Sequence, residues 1–262
     1  MIVEVIVEQQ EVGAKIMEVN FFNKTISIKS HYCSINGFHG EEIKDPYINL
    51  YIQLKNCNAS CKFCEYKETA EDFDFGEFEK ILIELGKSGV IVNKISITGG
   101  EPTMKIRTLS SIVSLVKNHF PSTFLVMNTN GFNLIKMHKY DMIKSFDSIS
   151  LSRHHYDDKK NDEILGFDTL KSYELKELIS YYKNKEIFHF SCNLIKGFID
   201  SKEEIHKYLE FCNSLDQFDV GFVSLMKINN YAKEHFVDFE LDNLLDKRFS
   251  EPPPAEARGF LR

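Results

Sequence analysis

The sequence predicts an α/β fold built on a mainly parallel sheet, and two patterns carry that reading. From Lys94 onward short apolar runs alternate with segments of helical period, which is how repeated strand-helix units appear in a chain. The apolar runs are short and bounded by polar or turn-forming residues, as strands are. Six strands follow: Ile48 to Leu54, Lys94 to Thr98, Phe124 to Asn128, Ser148 to Ser152, Phe188 to Leu194 and Val220 to Met226.

The segments between them show apolar faces at helical spacing. Phe75, Phe78, Leu82 and Leu85 form the expected core face of the first helix, and Leu109, Ile112, Val113 and Val116 that of the second. A later helix opens with Ser201 and Glu204 in capping-box spacing and carries Ile205, Tyr208, Leu209 and Cys212 on one stripe, which makes Cys212 a core residue. Ahead of the first strand, KIMEVNFFNKTISIKSH holds two alternating runs around Asn23 and Lys24, the pattern of a β-hairpin. After Met226 the chain changes character and ends in EPPPAEARGFLR, read as a disordered or appended tail. The expected organisation is an N-terminal β extension over residues 1–45, a core over 46–226 and a short C-terminal segment with its tail over 227–262.

Composition narrows the function classes. With 43% hydrophobic residues the chain can build a core, and 32 basic against 39 acidic residues give a formal charge of −7 with no block of like charge. Nothing in it suggests an electrostatic nucleic-acid footprint. Glu4 and Glu8 sit where a signal peptide needs a positive flank and a long apolar run, and no apolar stretch approaches a membrane span. A cytoplasmic protein with no membrane role is expected.

Three of the six cysteines fall close together in NCNASCKFCEY, directly after the first strand: Cys57, Cys61 and Cys64, spaced C-x3-C-x2-C. Clustered thiols in such a chain point to a metal site. Three thiolates on a short loop can cap three irons of a cubane cluster and leave the fourth iron open; the alternative is zinc, completed by a His or Cys from elsewhere. Cys33, Cys192 and Cys212 lack ligand spacing and read as small buried residues.

The motif resembles that of the radical S-adenosylmethionine (AdoMet) superfamily, and the resemblance runs over residues 46 to 226. It implies a partial (β/α)6 TIM-like barrel with an N-terminal β-hairpin extension, and a 4Fe-4S cluster whose open iron chelates the amino and carboxylate groups of AdoMet. Phe63, before the third cysteine, matches the aromatic residue that lies against adenine. TGGEPT resembles the family's GGE motif, which implies that Gly99, Gly100 and Glu101 receive the AdoMet amino group. Read from residues alone, the same segment is a turn entering a helix with Pro102 at the first position. Asn130, Ser150, Ser152 and Arg153, at the ends of the third and fourth strands, match the positions that bind ribose and carboxylate, Arg153 being suited to pairing a carboxylate.

Alternation along the strands adds to this. Ser148, Ser150 and Ser152 share one face of their strand, and His189, Ser191 and Asn193 one face of the next, so a barrel of these strands has a polar lumen. RHHYDDKKND, residues 153–162, is either a substrate-positioning or acid-base segment or a solvated loop. The resemblance implies that an external electron donor such as flavodoxin or ferredoxin reduces the cluster. AdoMet cleavage then yields a 5′-deoxyadenosyl radical that takes hydrogen from a small polar metabolite, nucleotide or peptide. The competing class is a non-catalytic iron-sulfur or zinc protein that binds a partner.

Overall fold

The computed structural model describes residues 2–6, 16–21, 24–29, 47–64, 73–182, 187–217 and 219–238. Cys33 and the proline-rich tail lie outside the described residues. At the N-terminus, β1 is Ile2–Ile6, and β2 (Ile16–Phe21) pairs antiparallel with β3 (Lys24–Lys29) as the expected hairpin. The core then runs β4 (Tyr47–Leu54), α1 (Phe75–Lys87), β5 (Ile91–Gly99), a 3-10 turn over Pro102–Lys105, α2 (Ile106–His119), β6 (Phe124–Thr129) and α3 (Leu134–Lys139). It continues with a second 3-10 turn over Met142–Ser145, β7 (Ser148–Ser152), α4 (Asp158–Leu165), α5 (Ser172–Tyr181), β8 (Phe188–Leu194), α6 (Lys202–Ser214), β9 (Val220–Ser224) and α7 (Asn230–Glu234).

Strands β4 to β9 stand side by side in chain order and pair in parallel, a partial barrel of six strand-helix units. β1 joins the same sheet, antiparallel to β4 with Ile2 opposite Gln53. Within the expected N-terminal β extension, this strand forms the edge of the main sheet.

Alternation builds the core. Ile48, Leu50, Ile52 and Leu54 of β4 point to the helices and are buried, as are Ile149 and Leu151 of β7 and Phe188, Phe190, Cys192 and Leu194 of β8. Each such side chain contributes about 1.5–3 kcal/mol of burial. The facing stripes are Phe78, Ile81, Leu82 and Leu85 on α1 and Leu109, Ile112, Val113 and Val116 on α2. Phe75 departs from expectation: at the first position of α1 it faces outward, and Ile81 takes the place assigned to it. On α6, Ile205, Tyr208 and Cys212 are buried and Leu209 only partly. Ser201 caps α6 by accepting from the Glu204 amide, while the Glu204 carboxylate accepts from Tyr156 Oη at 2.8 Å.

A second, smaller apolar cluster sits at the C-terminal ends of the last strands. Ile164, Ile195, Leu225 and Ala232 are its buried members, and Phe63, Phe198, Tyr231 and Phe236 pack against it. The segment after β9, which sequence treated as the start of a tail, thus closes one side of the barrel mouth.

Candidate active site at the cysteine loop

The cysteine loop leaves the C-terminal end of β4, where parallel barrels place their reactive groups. Cys57 and Cys61 are half-buried and Cys64 exposed. A turn closed by the Cys64 amide on the Cys61 carbonyl (3.1 Å) sets the C-x2-C half, and the Ala59 amide donates to Cys57 Sγ over 3.4 Å. Burial pushes the Cys61 thiol up to about 12, and the neighbouring Cys64 and Cys57 thiols push the same way. Three thiols that feel one another resist ionising together unless a cation joins them.

The rest of the loop is pinned from several elements. Asn130 Nδ2 donates to Asn58 Oδ1 at 3.0 Å, the Ser60 amide to the Leu165 carbonyl at 3.0 Å, and Asn229 Nδ2 to the Lys62 carbonyl at 3.2 Å. Phe63 meets the His154 ring edge-on, with centroids 5.5 Å apart.

The TGGEPT segment seizes the start of the loop. The Gly100 amide donates to the Leu54 carbonyl at 2.7 Å and the Glu101 amide to the Asn56 carbonyl at 2.5 Å. Gly99 has φ +110°, and a Cβ there would stand 2.3 Å from the Leu54 carbonyl oxygen, so both the conformation and the contact demand glycine. Glu101 is 2% exposed, and its carboxylate accepts from the Thr103 amide (2.9 Å), Thr103 Oγ1, Thr129 Oγ1 and the Asn130 amide (each 2.6 Å). Burial raises its pKa despite those donors. The carboxylate therefore ties the ends of β5 and β6 and caps the 3-10 turn, whose first residue is Pro102. Beside this junction a cavity of about 170 Å³ is lined by Gln53, Asn56, Phe73, Glu101, Met104 and Thr108, among others.

Asn130 is committed on both sides of its carboxamide, donating to Asn58 and accepting from the Phe132 amide at 3.0 Å. Ser150 and Ser152 are half-buried on the face of β7 opposite Ile149 and Leu151. Ladder pairing sets Ser150 beside Asn128 and His189, and Ser152 beside Ser191, which carries the polar face across neighbouring strands. Gln53 and Thr98 extend it on β4 and β5. The lumen face expected from alternation is present.

Arg153 is held within the fold. Sequence set it to pair a ligand carboxylate; it is 1% exposed, and its guanidinium donates to Asp158 Oδ1 (2.5 Å) and the Leu170 carbonyl (2.9 Å). It also lies over the Phe211 ring at 5.2 Å. It follows the last lumen-facing serine by one residue, so alternation turns it to the helix side.

The RHHYDDKKND segment divides between a buried start and an exposed helix N-terminus. His154 and His155 are buried, and α4 begins at Asp158 with Asp157 as its cap. His154 Nδ1 accepts from the Asn193 amide at 3.1 Å, and its own amide donates to Asn161 Oδ1 at 2.8 Å. Burial, then the charge of Arg153, lowers its pKa to about 4, which favours the neutral ring near pH 7.

Sequence reading also missed the network of Thr103 and Thr129 on Glu101, the docking of Ser60 on α4, and Asn229. A lumen pair was missed too: His189 Nδ1 stands 2.9 Å from Asp219 Oδ1, and the ring lies against Gly221. Gly166 and Asn229 carried a usable signal, since each flanks a helical segment as a cap would.

The donor set suits an iron-sulfur cluster: three soft sulfur ligands on one loop, with the backbone around them held by hydrogen bonds. Among the described residues no three His, Cys, Asp or Glu side chains close on a single metal ion. Among the described residues no helix is long and apolar enough to cross a membrane.

A parallel partial barrel with a three-cysteine loop at its C-terminal mouth defines an enzyme architecture for cluster chemistry. The chain belongs to the Radical SAM superfamily, whose sequence profile matches residues 51–212, more than half its length. A Helicobacter pylori protein named GTP 3',8-cyclase is 33% identical over 214 residues, 76% of this chain and 61% of that protein. A Thermoplasma volcanium probable GTP 3',8-cyclase is 33% identical over 129 residues, 47% and 38% of the two chains. A putative glycyl-radical enzyme activating enzyme of Methanocaldococcus jannaschii is 27% identical over 177 residues, 66% of each. The chain thus spans 38% to 66% of the length of these relatives. In fold, it resembles Streptococcus suis SuiB bound to the precursor peptide SuiA, with TM-score 0.57 and 20% identity over 77% of this chain and 44% of that one.

Proposed function

We propose that Cys57, Cys61 and Cys64 hold a 4Fe-4S cluster, that AdoMet is seated on the strand ends beside it, and that a polar substrate enters the lumen. The observation that carries this is the anchoring of the cysteine loop at the mouth of a polar barrel, by Asn130 after β6 and the Asn229 cap as donors and by the Leu165 carbonyl of α4 as acceptor. When bound, the two cofactors supply one-electron cleavage of AdoMet and the hydrogen abstraction that follows. The chain's own tasks are to fix the loop, hold the substrate near the reacting carbon and exclude competing quenchers.

On this reading Phe63 offers a ring for adenine, the backbone of Gly99 and Gly100 meets the amino end of AdoMet, and Ser150 and Ser152 bind its ribose or carboxylate. Glu101 and Asn130 act mainly by holding the strand ends and the loop, because their side chains are already hydrogen-bonded. An external one-electron donor of the flavodoxin or ferredoxin kind reduces the cluster. The relatives' names favour a nucleotide as the substrate class, and the row Gln53, Thr98, Asn128, Ser150 and His189 provides donors and acceptors for one.

The test is anaerobic loading with iron and sulfide, addition of AdoMet and dithionite, and quantification of 5′-deoxyadenosine with and without GTP. Formation that depends on all three cysteines supports the reading, and stimulation by GTP supports the nucleotide. A protein that takes up one zinc and cleaves no AdoMet overturns it.

A further inference from the structure

The two residues before Cys64 are gripped by a segment beyond the last barrel strand. Asn229 is the N-cap of α7, its Oδ1 accepting from the Ala232 amide at 2.8 Å. The Nδ2 of the same side chain reaches back to the Lys62 carbonyl, a hydrogen bond of 3.2 Å across 167 residues of sequence. The Lys62 ammonium lies 5.8 Å from the centroid of the Tyr231 ring. Phe63 packs in the small cluster with Ala232 and Tyr231. α7 is itself fixed to the barrel: the His235 carbonyl accepts from the Lys196 amide at 3.0 Å, and the His235 ring stacks on Tyr231 at 3.9 Å.

We infer that Asn229 is a positioning residue for the AdoMet site, setting the tilt of the Lys62–Phe63 peptide and with it the Phe63 ring and Cys64. This rests on the proposed reading of the cysteine loop. One carboxamide does two tasks with its two ends, capping α7 through oxygen and holding the loop through nitrogen. A helix of five residues has little stability of its own, so the cap and the packing on the loop support each other. The Cys61–Cys64 turn is closed within the loop, and the tether ties that turn to a segment beyond the last barrel strand.

The two tasks separate by substitution. Asn229→Asp keeps a capping oxygen but turns a carboxylate oxygen toward the Lys62 carbonyl, and Asn229→Ser keeps the cap but lacks the reach. Both preserve α7, so the melting temperature stays at the wild-type value. In cluster-loaded protein, equilibrium dialysis with AdoMet is expected to show wild-type iron content and a Kd raised about two- to tenfold, the worth of one partly exposed hydrogen bond. In protein without cluster, hydrogen-deuterium exchange over residues 62–64 rises in both variants. Wild-type Kd and exchange in both variants overturn the inference, as does a Kd loss matched by a fall in melting temperature. Failure of the wild type to bind AdoMet removes the reading of the loop, and the inference with it.

Discussion

The amide of Ser60 donates to the carbonyl of Leu165 over 3.0 Å, joining the cysteine loop to the last turn of α4. Gly166 follows in the left-handed conformation, φ +76°, and a Cβ there would stand 2.0 Å from Ser60 Oγ. The loop is therefore built against a glycine far along the chain.

Replacing Gly166 with Ala is expected to destabilise the fold by about 1–3 kcal/mol, from overpacking and from the left-handed backbone. Ser60→Ala alone is near neutral, because its amide makes the bond to Leu165. The double variant recovers the steric part and keeps about 1 kcal/mol of backbone cost. Chemical denaturation of the four proteins checks this, and strict additivity would show that the two residues do not meet.

Arg153 is expected to act on stability rather than on AdoMet. Removing it leaves Asp158 with Ser172 alone; burial by itself would raise that carboxylate, and the bonds from Arg153 and Ser172 hold it low. Arg153→Met should cost about 3 kcal/mol, at the lower end for a broken buried pair since Asp158 is partly exposed. AdoMet affinity of the folded protein stays at the wild-type value. A stable variant with lost AdoMet binding would restore the carboxylate role expected from sequence.

His154 makes the barrel mouth acid-sensitive. Its folded pKa of about 4 lies below the ordinary 6.5, so the unfolded chain binds more protons between those values. The contribution is complete above pH 6.5 and is lost as pH falls toward 4. At pH 5 the loss is about 2 kcal/mol, a drop of roughly 4–8 °C in melting temperature relative to pH 7.5. Melts of wild type and His154→Gln check it: the variant should lose this part of the slope.

Any one of Cys57, Cys61 and Cys64 changed to Ala should abolish cluster loading and AdoMet cleavage, read by iron content and 5′-deoxyadenosine. Cys212→Ala should leave both intact, since that thiol is 2% exposed on the buried face of α6. Normal turnover in a loop variant, or a lost cluster in Cys212→Ala, would reverse these assignments.

The strand-helix alternation, the outward aliphatics of β7 and β8, and the loop of Cys57, Cys61 and Cys64 were legible from sequence. Each depends on periodicity or spacing within one short stretch. The Ser148–Ser152 run even showed which face is polar, because a period of two is a property of the strand alone. Tertiary structure decided what those residues meet. Arg153 lies among Asp158, Leu170 and Phe211, partners that no local pattern names. Glu101 became a strut because Thr129 and Asn130 arrive from another strand. His154 and His155 lost their chemistry to burial, and Asn229 gained a role from a loop 167 residues away. Local pattern determines which elements form and which way their side chains point; hydrogen-bond partners and desolvation depend on residues brought together from distant parts of the chain, and only packing sets those.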